Sequence, residues 1–505
     1  MENQINTEEQ LPPIENVGIA INSLPNTENR IQENQSSGTS GLNIDSMDDR
    51  TSVLAVLEEF FQNIQQTTLR EAAGIQDDVA LTEKTMVVIV IDYLVETAKK
   101  YGWALARFED SFYLYTGTHW QKIDPDDLKS FLGKSAVKIG VQYFIAKHFK
   151  FREDLLKQFH SAGYFSPPAF ENSETKINLN NGTFIITPTG AWLKHFDKED
   201  FMRYKLPFGY DPNAKCPKFQ AYLKRTLPDE DKQKVIAEFL GYVFIRNSIL
   251  KLEKSLILYG SGANGKSVLF DIIQQLMGPT NVSNYTLQSL TDPNGYTRSL
   301  LAGKLLNYAS EISSKMNPTL FKQLVSGEPV EARMIYGKPF ILRDYARLIF
   351  NTNVLPKDIE NNSGFFRRFI IIDFDQTISD EEKNPMLANE IIKEELPGVF
   401  NWILEGLERL LLQGDFTKCA AAADAVERYR KDSDSVALFL EDGAFISSKD
   451  NHISLKEFYS QYKEFCKDSN YSTCSNKVFS TRLKTYGYET TRQAHGRVVG
   501  VKKEF

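Results

Sequence analysis

The order of apolar and polar residues divides the chain into stretches of different period. Residues 1–50 show none. From residue 51 the pattern turns helical: Val53, Leu54, Leu57, Phe60, Phe61 and Ile64 fall on one face, and residues 84–100 predict a second helix. Residues 108–250 alternate strand and helix patterns. Two β-hairpins are predicted there, at 112–123 with Gly117 in the turn and at 176–186 with Asn181-Gly182 as the turn signal. A helix over 229–247 leads into a short apolar strand at 255–259, and residues 268–277 return to helical spacing. Strand-like runs recur at 304–311, 347–350 and 369–373. Residues 385–430 read as helical with a break at Leu396-Pro397-Gly398. Two further helices, 454–468 and 475–486, precede a strand-like tail over 488–501. No repeat of solenoid period is present.

Composition changes this picture at a few points. A chain of 505 residues holds two to four domains, and 42% apolar with 25% charged residues is ordinary for a globular protein. Residues 1–50, rich in Asn, Gln, Glu and Ser without a lysine or an aromatic ring, predict a disordered acidic tail. Cys216, Cys419, Cys466 and Cys474 form no C-x-x-C, which argues against a disulfide framework or a zinc site and fits a reducing cytoplasm. The N-terminus lacks the basic and apolar regions of a signal peptide, and no apolar run is long enough for a membrane span; no membrane partner is expected. His119, His148, His160 and His195 lie apart, without metal-ligand spacing. The net charge of −7 does not mark a nucleic-acid binder. Residues 451–505, however, carry ten Lys/Arg against five Asp/Glu, a net of +5. Asp92 ends an apolar run but has no acidic partner two residues on. Two-metal polymerase chemistry needs a pair, so primer synthesis is not expected of this chain.

The chemistry concentrates where the 255–259 strand meets the following helix. Residues 260–267 read GSGANGKS, the G-x-x-x-x-G-K-[ST] pattern in its required strand–loop–helix context. Gly260, Ser261, Gly262, Ala263, Asn264 and Gly265 would turn backbone N–H groups around phosphate oxygens, and the helix start adds its positive end. Lys266 would reach the β- and γ-phosphates of ATP, and Ser267 would bind Mg²⁺. ATP hydrolysis also needs a strand-end carboxylate to serve the metal or the attacking water. Glu311, 45 residues after Lys266, is the candidate. Asn353, with Asn351 as its rival, ends a second apolar strand and could bind the γ-phosphate or the water. Arg367 and Arg368 open a third strand. Either could act as an arginine finger toward a neighbouring subunit, with Arg367 preferred.

Together these elements resemble the superfamily 3 helicases, and most of all the phage/plasmid primase-helicase family. The residues that carry the resemblance are GSGANGKS, SEIS at 310–313, residues 321–333, NTNVLP at 351–356 and FFRRF at 365–369. INLNNGTF at 177–184, residues 210–219, residues 238–242 and residues 395–402 add to it. The resemblance covers roughly 108–505. It implies a homo-hexameric ring of AAA+-like ATPase domains that moves along single-stranded DNA and opens forked duplex, with a separate primase or initiator as a further partner. It also implies a DNA-contacting hairpin, here residues 332–340 with Tyr336 and Lys338 at the tip, a stacking surface beside a phosphate contact. The C-terminal unit resembles a winged helix, with Lys477, Arg482 and Lys484 on its second helix and Arg492 and Arg497 on the wing.

The expected architecture is therefore a multidomain α/β chain: a disordered tail (1–50), a helical segment (51–107), an α+β domain (108–250), a P-loop ATPase core on a parallel sheet (251–378), a helical closing segment (379–430) and a winged-helix DNA-binding domain (431–505). The expected function is an ATP-dependent replicative DNA helicase acting in the cytoplasm of a bacterial host or infected cell. An ATP-switched origin-binding module without processive unwinding is the alternative.

Overall fold

The computed structural model describes residues 49–76, 80–108, 111–162, 174–310, 312, 316–355, 363–469, 471, 473–493 and 496–504. Two compact units divide between Pro212 and Asn213.

In the first unit, helices Asp49–Asn63, Glu83–Tyr101, Pro125–Lys138 and Phe149–Ala162 enclose a core that includes the fully buried Val56, Val90, Ile91, Leu128, Leu132 and Leu155. The second of these helices starts at a Thr82 cap and stops at Gly102 in the left-handed region, φ 68°. Two antiparallel three-stranded sheets complete the unit. Both predicted hairpins are present, Ser111–Tyr115 with Trp120–Lys122 and Thr175–Leu179 with Gly182–Thr187.

The second unit is built on five parallel strands. Across the sheet they run Phe369–Asp373, Ser255–Tyr259, Arg347–Thr352, Leu306–Ala309 and Val282–Ser283. Leu256, Ile257, Leu258, Ile349, Phe350, Ile371 and Ile372 are fully buried. A strand covered on both faces reads as a continuous apolar run, which is the pattern these segments have. Because all strands are parallel, their carboxyl ends share one edge. The loop at 260–265, Asn353 and the end of Leu306–Ala309 therefore meet there.

Residues upstream of 251 belong to the same compact unit, which begins at Asn213. Helix Glu230–Tyr242 lies against helix Leu396–Gln413. A Cβ at Gly406 would stand 2.5 Å from the Ala237 carbonyl carbon, and one at Gly241 2.7 Å from Leu407 Cβ. The fully buried Glu238 takes hydrogen bonds from Arg409 Nε at 2.5 Å and Thr417 N at 2.8 Å. Glu395 caps helix Pro217–Thr226, accepting from Lys218 N and Phe219 N at 3.0 and 2.9 Å. The helices of 387–413 hold residues 217–242 to the parallel-sheet unit.

Past residue 434, helices Ser435–Asp442, Leu455–Asp468 and Asn476–Thr485 pack on an antiparallel sheet of Phe445–Ser454, Gly496–Lys503 and Thr490–Gln493. Its core holds Phe458, Tyr462, Phe479 and Leu483. Among the described residues no helix is long and apolar enough to cross a membrane.

Candidate functional site

The glycine loop is held from both sides. Gly262 and Gly265 sit at φ 111° and 89°, where L side chains are strained, and Ala263 accepts a left-handed φ of 50°. The Ala263 carbonyl is fixed by Ile378 N at 2.8 Å, and Asn264 Nδ2 donates to Phe374 O at 3.1 Å. There is no room for a side chain at the first or the last glycine of the loop. A Cβ at Gly260 would lie 2.2 Å from Asn264 Nδ2, and one at Gly265 2.7 Å from Thr226 Cγ2. Tyr222 Oη donates to Gly265 O at 2.9 Å.

Helix Lys266–Met277 follows, and no side chain caps its N-terminus. Lys266 is buried. Its ammonium donates to Gly260 O at 2.7 Å and Asn264 Oδ1 at 3.0 Å, both neutral acceptors. Burial pushes its pKa below the ordinary lysine value. Among the described residues no carboxylate pairs with it, so the site carries buried positive charge in excess. Ser261 and Ser267 are exposed at the loop's mouth. These residues fit a nucleotide triphosphate with its metal: narrow glycine turns, open helix N–H groups, and a cation that lacks an anion.

The strand ends beside the loop separate the two asparagines. Asn351 is buried, and its Oδ1 accepts from the fully buried Tyr308 Oη at 2.9 Å. Asn353 is exposed just past Thr352, whose carbonyl accepts from Gly260 N at 3.2 Å. Glu311 lies outside the described residues. The strand that leads to it ends at Ala309, in register with Phe350, at the same edge of the sheet.

The arginines lie at the other edge. Ser255 N donates to Arg368 O at 2.8 Å, so the pair stands where strands Ser255–Tyr259 and Phe369–Asp373 begin. Arg368 is buried, with Nε and Nη2 on Ser326 Oγ at 3.3 and 3.0 Å and Nη1 on the Gly364 carbonyl. Arg367 is mostly exposed, and its Nη2 meets Glu253 Oε2 at 2.6 Å. Burial raises the Glu253 carboxyl, but the Lys251 hydrogen bond and the charges of Arg367, Arg368 and Lys251 outweigh it and lower the pKa overall.

The hairpin of Val330–Arg333 and Pro339–Leu342 projects Tyr336, fully exposed at φ 61°, with Ile335 and Lys338 exposed beside it. Arg333 Nε braces the turn through Gly337 O at 3.0 Å. In the C-terminal unit Lys477, Lys484, Arg492 and Arg497 are exposed, and Arg492 faces Arg497 across the final hairpin. Arg482 is different: it is tied to the buried Asp434 at 3.2 Å, which also receives Tyr486 Oη.

Sequence reasoning missed the outer wall of the nucleotide loop, formed by Tyr222, Thr226, Phe374 and Ile378. Tyr222 stands 43 positions from its partner Gly265, and no local pattern marks it.

Comparison with known proteins adds three family matches. Residues 97–228 match a family described as D5 N terminal like, residues 258–368 a family of unknown function, DUF5906, and residues 431–504 a family described as Poxvirus D5 protein-like. A helicase-named protein of Acanthamoeba polyphaga mimivirus, L207/L206, is 24% identical over 282 residues. That match covers 50% of this chain and 29% of the relative, so the chain spans under a third of the relative's length. Two apo structures of the NrS-1 C-terminal region align over 81% of this chain and 98% of theirs, at 12% and 14% identity, each with a TM-score of 0.45. The family matches and the viral relative bear out the resemblance to the phage-type primase-helicases.

Proposed function

We propose that this chain is the motor of an ATP-dependent replicative DNA helicase of a phage, plasmid or related mobile element, working in the host or infected-cell cytoplasm. The D5-type matches and the helicase-named relative support a replicative helicase or primase-helicase role. The observation that carries ATP use is Lys266, a buried cation facing only neutral oxygens at an uncapped helix start. Loop residues 260–265 cradle the phosphates, and Lys266 binds the β- and γ-phosphate oxygens. Ser267 would hold Mg²⁺, with Glu311 reaching the ion through a water, and the ion when bound would neutralise phosphate charge. Asn353 orients a water, whose oxygen attacks the γ-phosphorus as the bond to the β–γ bridging oxygen breaks. Glu311 takes the proton, and ADP and phosphate leave.

Arg367 completes the site of an adjacent copy. A strand of five residues is about 16 Å long, so the arginine edge is out of reach of the chain's own loop. An exposed ion pair contributes only about 0–1 kcal/mol, so Glu253 yields Arg367 readily, whereas the buried bonds of Arg368 make it a brace. This arrangement favours an AAA+-like ring, a homo-hexamer by resemblance. Tyr336 and Lys338 then track a single strand in the channel. The 435–504 unit acts as a winged helix that meets DNA phosphates through Lys477, Lys484, Arg492 and Arg497, with Arg482 positioning the second helix instead.

The test is ATP hydrolysis with and without single-stranded DNA, using Lys266→Ala as the blank, alongside unwinding of a forked duplex. Strand-stimulated hydrolysis that falls to the unstimulated level in Lys338→Ala is expected. Hydrolysis indifferent to DNA, with origin binding intact, would move the reading to an ATP-switched initiator.

A further inference from the structure

The first unit carries an exposed aromatic cluster that the proposed motor does not use. It lies where the chain passes from helix Pro125–Lys138, through the short helix Tyr143–Lys147, into helix Phe149–Ala162. Phe144 is 77% exposed, Phe149 68% and Tyr143 53%; among the described residues only Tyr336 is a more exposed aromatic ring. The segment is nevertheless anchored, since Val141, Ala146 and Phe151 are buried in the core. The rings gather in pairs, with Tyr143 and Phe144 centroids 5.5 Å apart and His148 and Phe149 4.9 Å apart.

The segment that carries them is locally basic, with Glu153 and Asp154 following one turn after Lys150 and Asp154 within 4.0 Å of Lys157. Residues 128–152 contain six Lys/Arg and no Asp or Glu, in a chain whose net charge is −7. Four of those cations are engaged: Lys129 with Asp126 at 3.0 Å, Lys138 with the Phe61 and Gln62 carbonyls at 2.8 and 3.2 Å, Arg152 with Ala146 O at 3.1 Å, and Lys147 with the neutral Tyr143 Oη at 3.3 Å, which sets an ammonium against one of the rings. Lys147 and Lys150 are exposed beside the rings. Flat apolar faces next to unopposed cations match a polyanion that also presents flat apolar faces. We propose that Tyr143, Phe144, Lys147, Phe149 and Lys150 form a docking site for single-stranded nucleic acid, with bases stacked on the rings and phosphates on the lysines. The site rests on the strand-handling function proposed above and adds a contact outside the motor and the C-terminal unit.

The test is fluorescence anisotropy of a labelled oligothymidylate with the full chain. The double variant Phe144→Ala/Phe149→Ala should bind about tenfold or more weakly, with an unchanged melting temperature because both rings are exposed. Phe144→Trp should bind as tightly as the unmodified chain. Lys147→Glu/Lys150→Glu should weaken binding and flatten its dependence on log salt by about two. Alanine variants that bind like the unmodified chain would overturn the site and leave the helicase reading standing. Unchanged strand binding with a smaller mass by light scattering would assign the patch to contact between copies, also overturning it. An unmodified chain that binds no strand would overturn both.

Discussion

At the carboxyl edge of the parallel sheet the loop lysine, Lys266, is buried and meets only neutral oxygens. At the amino edge Arg367 is exposed, carries a carboxylate partner, and stands beside a second arginine that is buried and fully bonded. The first edge has a cation in want of an anion. The second has a cation held where it can be released toward something outside the chain. On the proposed reading one copy supplies two halves of different sites, and the difference in burial suits Arg367 and Arg368 to separate jobs.

The sharpest break in that comparison is Arg367→Ala. Arginine fingers contribute roughly 10³–10⁵ in turnover, so ATP hydrolysis should fall at least about 1,000-fold. Its melting temperature should hardly move, because an exposed pair contributes about 0–1 kcal/mol. Turnover and calorimetry on the same preparation check both.

Arg368→Ala should do the reverse. Removing the guanidinium strands Ser326 and the Gly364 carbonyl in a buried setting. The expected cost is about 1–3 kcal/mol of stability, read by denaturant unfolding, with hydrolysis per folded molecule much less affected than in Arg367→Ala. Equal losses of turnover in the two variants would erase the distinction.

The smallest effect concerns the wall beside the nucleotide loop. Arg225 donates to Glu382 at 3.0 and 2.7 Å. With Ser379 N, these bonds hold the Glu382 carboxyl down at about 2. The fold favours the ionised form, so the pairing contributes in full above the ordinary carboxylate value of about 4.3 and is lost as pH falls through about 2. Acid titrations of the unmodified chain and Glu382→Gln should differ near neutral pH and converge across that window. A constant difference would place the contribution elsewhere.

What could be read in the sequence was mostly local. The strand, glycine loop and helix of 255–277 are contiguous, and both hairpins of the first unit announce themselves by turn residues. The helices of the C-terminal unit fall close to their expected positions. Phe445–Ser454 escaped because its residues are largely polar and exposed, with no alternation to mark a strand. The packing of residues 230–242 into the second unit has no local mark, because it depends on glycine-lined contact between helices more than 160 positions apart. Arg482 looked like a phosphate contact on its own helix, but its carboxylate partner lies 48 positions upstream. The bond that occupies Asn351, the rival to Asn353, comes from Tyr308 on a neighbouring strand and has no local mark either.

The most direct test of a site shared between copies is to mix two inactive variants. Lys266→Ala loses its own loop but keeps its arginine; Arg367→Ala keeps the loop and loses the arginine. Mixed subunits should regain hydrolysis well above either variant alone, because some interfaces then pair an intact loop with an intact arginine. Activity in the mixture no greater than the average of the two would contradict the account.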